Sequence, residues 1–150
     1  MPVTKARAQA MDYKVIKIRT VMEETESGLS FLEGERDIPF KINHLYCIFE
    51  KEKNNQNGFL NHKQSWQLLL CPYGSIEVLV DNGIKRERIS LDNPSIGLIL
   101  RADIWREMIW KEKGSVLCIA SSSDYDVDKF YGDYAAYLDY VRKQKQPERK

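Results

Sequence analysis

The sequence predicts an all-β domain, a jelly roll of two antiparallel sheets closed by one C-terminal α-helix. Three observations predict it. Short β-branched and aromatic runs recur from residue 13 to residue 121 with turn signals between them. An Asp81-Asn82-Gly83 turn separates two such runs, and helical spacing of apolar residues appears only near the C-terminus.

Taken in order, residues 1–11 (MPVTKARAQAM) read as a loose leader, because they carry charge but no apolar stretch of signal-peptide length. A single domain is expected over 12–142, followed by a polar tail at 143–150. Within the domain, VIKIRTV at 15–21, HLYCIFE at 44–50 and WQLLLC at 66–71 read as strands. The polar segment KEKNNQNG at 51–58 reads as a loop. IEVLV at 76–80 and KRERISL at 85–91 flank Asn82-Gly83, a pair that accepts the positive φ values of tight hairpin turns, so 76–91 is predicted to be a hairpin. IGLIL at 96–100, IWREMIW at 104–110 and SVLCIAS at 115–121 complete the series at the even spacing of sandwiches and barrels. Asp126 or Asp128 is predicted to cap the final helix, in which Phe130, Tyr134, Tyr137, Leu138 and Val141 recur at helical spacing. Asp126, Asp128 and Asp133 are therefore read as capping and first-turn carboxylates rather than as catalytic groups.

Composition narrows the function. With 23 basic and 22 acidic side chains the formal charge is +1, so no field gathers a polyanion and nucleic acid is not an expected partner. No apolar run is long enough to span a bilayer, so no membrane association is expected. Cys47, Cys71 and Cys118 are odd in number, lie in apolar stretches and show no CxxC spacing, which reads as buried reduced thiols and a cytoplasmic location. The sequence contains no GxGxxG, P-loop, GxSxG or HExxH signature. With His44 and His62 as its only histidines it is expected to hold no metal, and no cofactor is predicted.

The stretch NGFLNHKQSWQLLLCPYGSIEVLVDNG at 57–83 resembles the signature of the dTDP-4-keto-6-deoxyglucose 3,4-ketoisomerase family of cupins, which reads RGxHAHKxxxQ, then a strand and DDG. RDIPFKINHLY at 36–46, GLILRADIWREM at 97–108 and YDVDKFYGDY at 125–134 resemble its IPF, Trp-(His/Arg)-Glu-Met and YDExDYIRDY motifs in the same order. The resemblance implies an isomerase that moves the keto group of a dTDP-linked 4-keto-6-deoxyhexose between carbons 4 and 3, in deoxysugar and surface polysaccharide biosynthesis. A base removes the proton α to the carbonyl, an enediol forms, and carbon 4 is reprotonated. It implies a dTDP-linked keto sugar as ligand and a homodimer as the assembly.

The resemblance further implies His62 and Tyr46 as catalytic residues, since imidazole titrates near neutrality and a phenol can stabilise an oxyanion. Gln67, Trp105, Arg106 and Arg101 are the implied substrate-binding residues, with Arg106 able to hold an oxyanion or phosphate. Departures fall at the same place: the family's first histidine is Leu60, its preceding arginine is Asn57, and its arginine near the helix is Gly132. On a strand Leu60 and His62 would share a face, which makes His62 the surviving proton carrier. The loss of the other histidine also raises a non-catalytic nucleotide-sugar-binding module, and a His62–Tyr46 epimerase ranks third. His44 stands where the family has arginine and is read as an edge or surface residue.

Overall fold

The sheets form where strong β-formers recur, and all but two of the strands fall in two five-stranded sheets. The computed structural model describes residues 13–22, 28–49, 51–54, 56–61, 66–101, 104–123, 130–131 and 134–145, with 56–61, 130–131, 140 and 144–145 described as backbone. The strands are β1 (Tyr13–Lys17), β2 (Arg19–Met22), β3 (Gly28–Phe31), β4 (His44–Ile48), β5 (Gln56–Asn61), β6 (Trp66–Tyr73), β7 (Ile76–Asp81), β8 (Arg86–Leu91), β9 (Ile96–Arg101), β10 (Trp105–Trp110), β11 (Val116–Ser121) and β12 (Phe130–Tyr131). One helix, α1 (Tyr134–Lys145), follows. The first sheet runs β1-β9-β6-β11-β4 and the second β12-β5-β10-β7-β8, every pairing antiparallel. β2 and β3 form a separate hairpin.

The two sheets face each other across one apolar core. Leu69, Leu98, Leu117 and Ile119 come from the first sheet, and Ile76, Val78, Val80, Leu91, Met108 and Trp110 from the second. Each of these is fully buried, and burying such a side chain contributes about 1.5–3 kcal/mol. At the side where β1 and β8 are the edge strands, the Tyr13 hydroxyl donates to Glu87 and links the sheets. That bond pushes the Tyr13 phenol up to about 12.

The first sheet is covered on its other face as well. Leu68, Ile99 and Ala120 pack beneath Ile38 and Phe40, and Phe40 stacks on Trp66 with ring centroids 6.4 Å apart. This explains why LLLC at 68–71 is a continuous apolar run rather than an alternating one. The covering segment is tied down by Arg19, whose Nη2 donates to Asp37 Oδ2 at 2.6 Å and holds that carboxyl below its ordinary value.

The hairpin predicted at 76–91 is present, as β7 and β8 paired from Ile76↔Leu91 to Asp81↔Arg86. Gly83 takes φ 90°, and a Cβ there would come within 2.9 Å of Val141 in α1, so the turn needs glycine on both counts.

Other expectations need correction. The run 15–21 is two strands broken at Ile18, because β1 joins the first sheet while β2 leaves it to pair with β3. The polar segment at 51–58 already contains the start of β5, paired with β10 from Gln56↔Ile109. Phe130 lies in β12, opposite Asn61, rather than in the helix. The helix begins at Tyr134 and continues past Val141 to Lys145. Residues 1–12, Asp126, Asp128, Gly132, Asp133 and 146–150 lie outside the described residues. Cys71 is buried, but Cys47 is exposed and Cys118 only half-buried, because β4 is the edge of its sheet among the described strands.

Candidate active site

The inward positions of the first sheet change character over a single step along the strands. Leu98, Leu69, Ile119 and Tyr46 oppose one another across β9, β6, β11 and β4. The next inward row is Leu100, Gln67, Ser121 and His44. Alternation fixes this set, since residues two apart on a strand share a face. From the second sheet Arg106 enters the same space, opposite Val80 on β7 and on the face of Met108 and Trp110.

Arg106 is fully buried and charged, so its guanidinium needs acceptors. Nη1 donates to Gln67 Oε1 across the sheets, Nη2 donates to the carbonyls of Arg101 at 3.0 Å and Ile104 at 3.2 Å, and Nε donates to Ile104 at 3.4 Å. Because arginine only donates, Gln67 must present its oxygen to it, which fixes the amide orientation. Gln67 Nε2 is then a donor in a fully buried residue, with no hydrogen-bond partner among the described residues. Leaving such a donor unmet costs about 1–3 kcal/mol, so the position favours an acceptor brought by a ligand or a water.

Tyr46 is half-buried and stacks on His44 with centroids 5.6 Å apart and planes 15° apart. The His44 Nδ1 bonds the Ser123 carbonyl, which can only accept. Nδ1 therefore carries the proton, and Nε2 is the basic nitrogen when the ring is neutral. His44 lies on β4, an edge strand as expected, but its Nε2 is buried, so the ring belongs to the interior polar row rather than to the surface. Its position two residues before Tyr46 was the available signal, and Ser121 carries none before the register is known. This arrangement offers a fixed cation, an amide donor, a phenol and an imidazole in a space otherwise walled by hydrocarbon, a setting that stabilises a developing oxyanion and supports proton transfer.

The substrate-binding set does not stay together. Arg101 is exposed and opposes Trp66 on the outward face of the first sheet, its guanidinium 5.2 Å from that ring. It lines a cavity of about 470 Å³ with Tyr13, Lys14, Arg36, Asp37 and Trp66, and its backbone carbonyl accepts from Arg106. Trp105 is 2% exposed but faces away from Arg106, packed against Tyr134 and Tyr137 at 5.5 and 5.8 Å. It joins α1 to the back of the second sheet. His62 lies outside the described residues, as do the side chains of Asn57 and Leu60, so the shared face expected for Leu60 and His62 is not among the described contacts. The backbone register sets Phe59 opposite Arg106 and Asn57 opposite Met108.

The chain matches the model of the WxcM-like, C-terminal family (FdtA) over residues 11–142. It is 32% identical over 133 residues to the TDP-4-oxo-6-deoxy-alpha-D-glucose-3,4-oxoisomerase of Aneurinibacillus thermoaerophilus, covering 89% of this chain and 95% of that one. A His-to-Asn mutant of the 3,4-ketoisomerase QdtA from Thermoanaerobacterium thermosaccharolyticum, solved with TDP-4-keto-6-deoxyglucose, superposes with TM-score 0.83 at 29% identity, over 93% of this chain and all of that one. A 3,4-ketoisomerase from Helicobacter canadensis superposes with TM-score 0.81 at 30% identity, over 89% and 99% of the two chains.

Proposed function

The chain belongs to the WxcM-like, C-terminal family, and from that premise we propose that it is a sugar-nucleotide isomerase that moves the keto group of a dTDP-linked 4-keto-6-deoxyhexose from carbon 4 to carbon 3. A base takes the proton from carbon 3, the electrons form an enediolate with charge on the carbon-4 oxygen, the carbon-3 hydroxyl proton passes to that oxygen, and a proton returned to carbon 4 leaves the carbonyl at carbon 3. The observation that carries the site assignment is the buried Arg106–Gln67 pair, a fixed cation beside an amide donor with no partner among the described residues. Arg106 and Tyr46 hold the enediolate oxygens, Gln67 donates to the hexose, and His62 carries the proton, as the family motif around it implies. Relatives that are themselves isomerases leave the non-catalytic reading without support.

The test is to incubate the purified chain with dTDP-4-keto-6-deoxyglucose in deuterated water and follow the hexose by NMR. The 3-keto isomer and label at the exchanging carbons are expected. Binding of the nucleotide sugar with neither isomer nor label would overturn the isomerase and return the binding module.

The working assembly is a homodimer. Val21, Leu29 and Phe31 share one face of the β2–β3 hairpin by register and remain 52%, 58% and 37% exposed. An isolated two-stranded hairpin is marginal in water, and a second copy would cover this face. Light scattering at micromolar concentration is expected to give twice the chain mass, and a monomer would count against it. We place the protein in the cytoplasm, on the strength of its three free thiols. Among the described residues no helix is long and apolar enough to cross a membrane.

A further inference from the structure

Cys47 on β4 and Cys118 on β11 stand directly opposite each other, and their Sγ atoms are 3.0 Å apart. Both lie on the face turned away from the interior, since their chain neighbours Tyr46 and Ile119 belong to the core side. Opposed residues of an antiparallel ladder have Cα atoms about 4.5 or 5.5 Å apart, and both spacings fall within the roughly 4.4–6.8 Å over which a disulfide closes. The remaining movement is about 1 Å at sulfur, which rotation about the two Cα–Cβ bonds supplies. Cys71, the third thiol, is buried and donates to the Tyr73 carbonyl at 3.2 Å.

We propose that Cys47 and Cys118 form a reversible cross-strand disulfide, a modification site that closes by exchange with a low-molecular-weight disulfide such as oxidised glutathione. The exposed Cys47 thiolate attacks the glutathione disulfide, forming a mixed disulfide and expelling one glutathione thiolate. Cys118 then loses its proton to solvent and attacks the Cys47 sulfur, expelling the second. Two protein thiols are oxidised and one small disulfide is reduced to two thiols, so the electrons balance.

The order follows from burial. Burial pushes the Cys118 thiol up to about 12, with the neighbouring Cys47 adding to the rise, so the exposed partner attacks first. Once Cys47 is in the mixed disulfide its own charge is gone, and that part of the restraint on Cys118 is lifted. The bond would join the edge strand β4 to β11, directly behind Tyr46 and His44, and close a long loop of sequence. Oxidation therefore fixes the wall of the site from its outer side.

The test uses the full chain incubated with oxidised glutathione, then denatured, alkylated and mapped by mass spectrometry, with a dithiothreitol-treated sample beside it. The expected oxidised product has lost two hydrogens, links the Cys47 and Cys118 peptides, and alkylates only at Cys71 among its three cysteines. Its thermal midpoint is expected to lie several degrees above that of the reduced chain, returning on reduction. Cys71→Ser is expected to form the same bond, and Cys118→Ser to stop at glutathione on Cys47. Three alkylated cysteines, a glutathione adduct that persists on Cys47 of the unmutated chain, or a bond joining Cys47 of two chains would each overturn the proposal.

Discussion

Replacing His62 by asparagine is expected to lower turnover of the 4-keto sugar by about 10²- to 10⁴-fold, the ordinary cost of removing a general acid or base. Asparagine keeps much of the shape and hydrogen-bonding capacity of the ring but cannot carry a proton between pH 5 and 8. Nucleotide binding, measured by calorimetry with TDP, is expected to stay unchanged, so the loss falls on kcat. Leu60 sharpens the experiment. With leucine in place of the family's first histidine, the proposed mechanism leaves His62 to serve both carbons, and it can return the proton it has just taken. Substrate deuterated at carbon 3 is therefore expected to give product that keeps part of the label at carbon 4. Complete washout together with undiminished turnover in His62→Asn would remove His62 from the mechanism. Loss of turnover in His44→Asn alone would shift the proton transfer to the imidazole that bonds Ser123 beside Tyr46.

What could be read without coordinates was periodicity and turn chemistry; what could not was phase. The hairpin at 76–91 was legible because Gly83 accepts the positive φ that the turn between two alternating runs requires. IWREMIW shows the opposite case. Alternation separates Trp105, Glu107 and Ile109 from Arg106, Met108 and Trp110, but it does not say which set faces the partner sheet. Ordinarily the polar face betrays itself. Here α1 covers the back of β10, so Trp105 is buried on one face and Trp110 on the other, and the strand looks apolar on both. The resemblance to the ketoisomerases pointed to Trp105 and Arg106 together, yet adjacent residues on a strand cannot both enter one site. Arg101 and Arg106 were close in sequence for an equally misleading reason. They flank the β9–β10 connection and end on opposite sides of different sheets. β12 is two residues long, below any length at which alternation can be recognised, and it took Phe130 out of the apparent helical pattern.

Asp81 was legible as a turn residue and became more than that once the helix was in place, and its removal is expected to carry a large stability cost. The residue is 3% exposed. Its Oδ1 accepts from the Gly83 amide at 2.6 Å, which holds the hairpin turn, while Oδ2 accepts from Arg86 Nε at 2.9 Å and from the Tyr134 hydroxyl at 2.6 Å. Its backbone carbonyl accepts from Tyr137 at 2.8 Å. One carboxylate thus joins β7, β8 and α1, and the same helix buries Trp105. Asp81→Ala leaves the carbonyl contact but strips three donors of a charged acceptor. Each such bond is worth about 1.5–3 kcal/mol in isolation. Arg86 is half exposed and can turn to water, so the three do not add in full. A loss of about 3–4 kcal/mol in urea unfolding is the expected result. Asp81→Asn keeps the shape and one acceptor oxygen, and is expected to lose less. Because Tyr134 and Tyr137 pack on Trp105, loosening of α1 should also shift tryptophan emission to the red before the sheets unfold. A cost below about 1 kcal/mol, the size of an ordinary surface change, would mean that α1 is held by its apolar contacts alone.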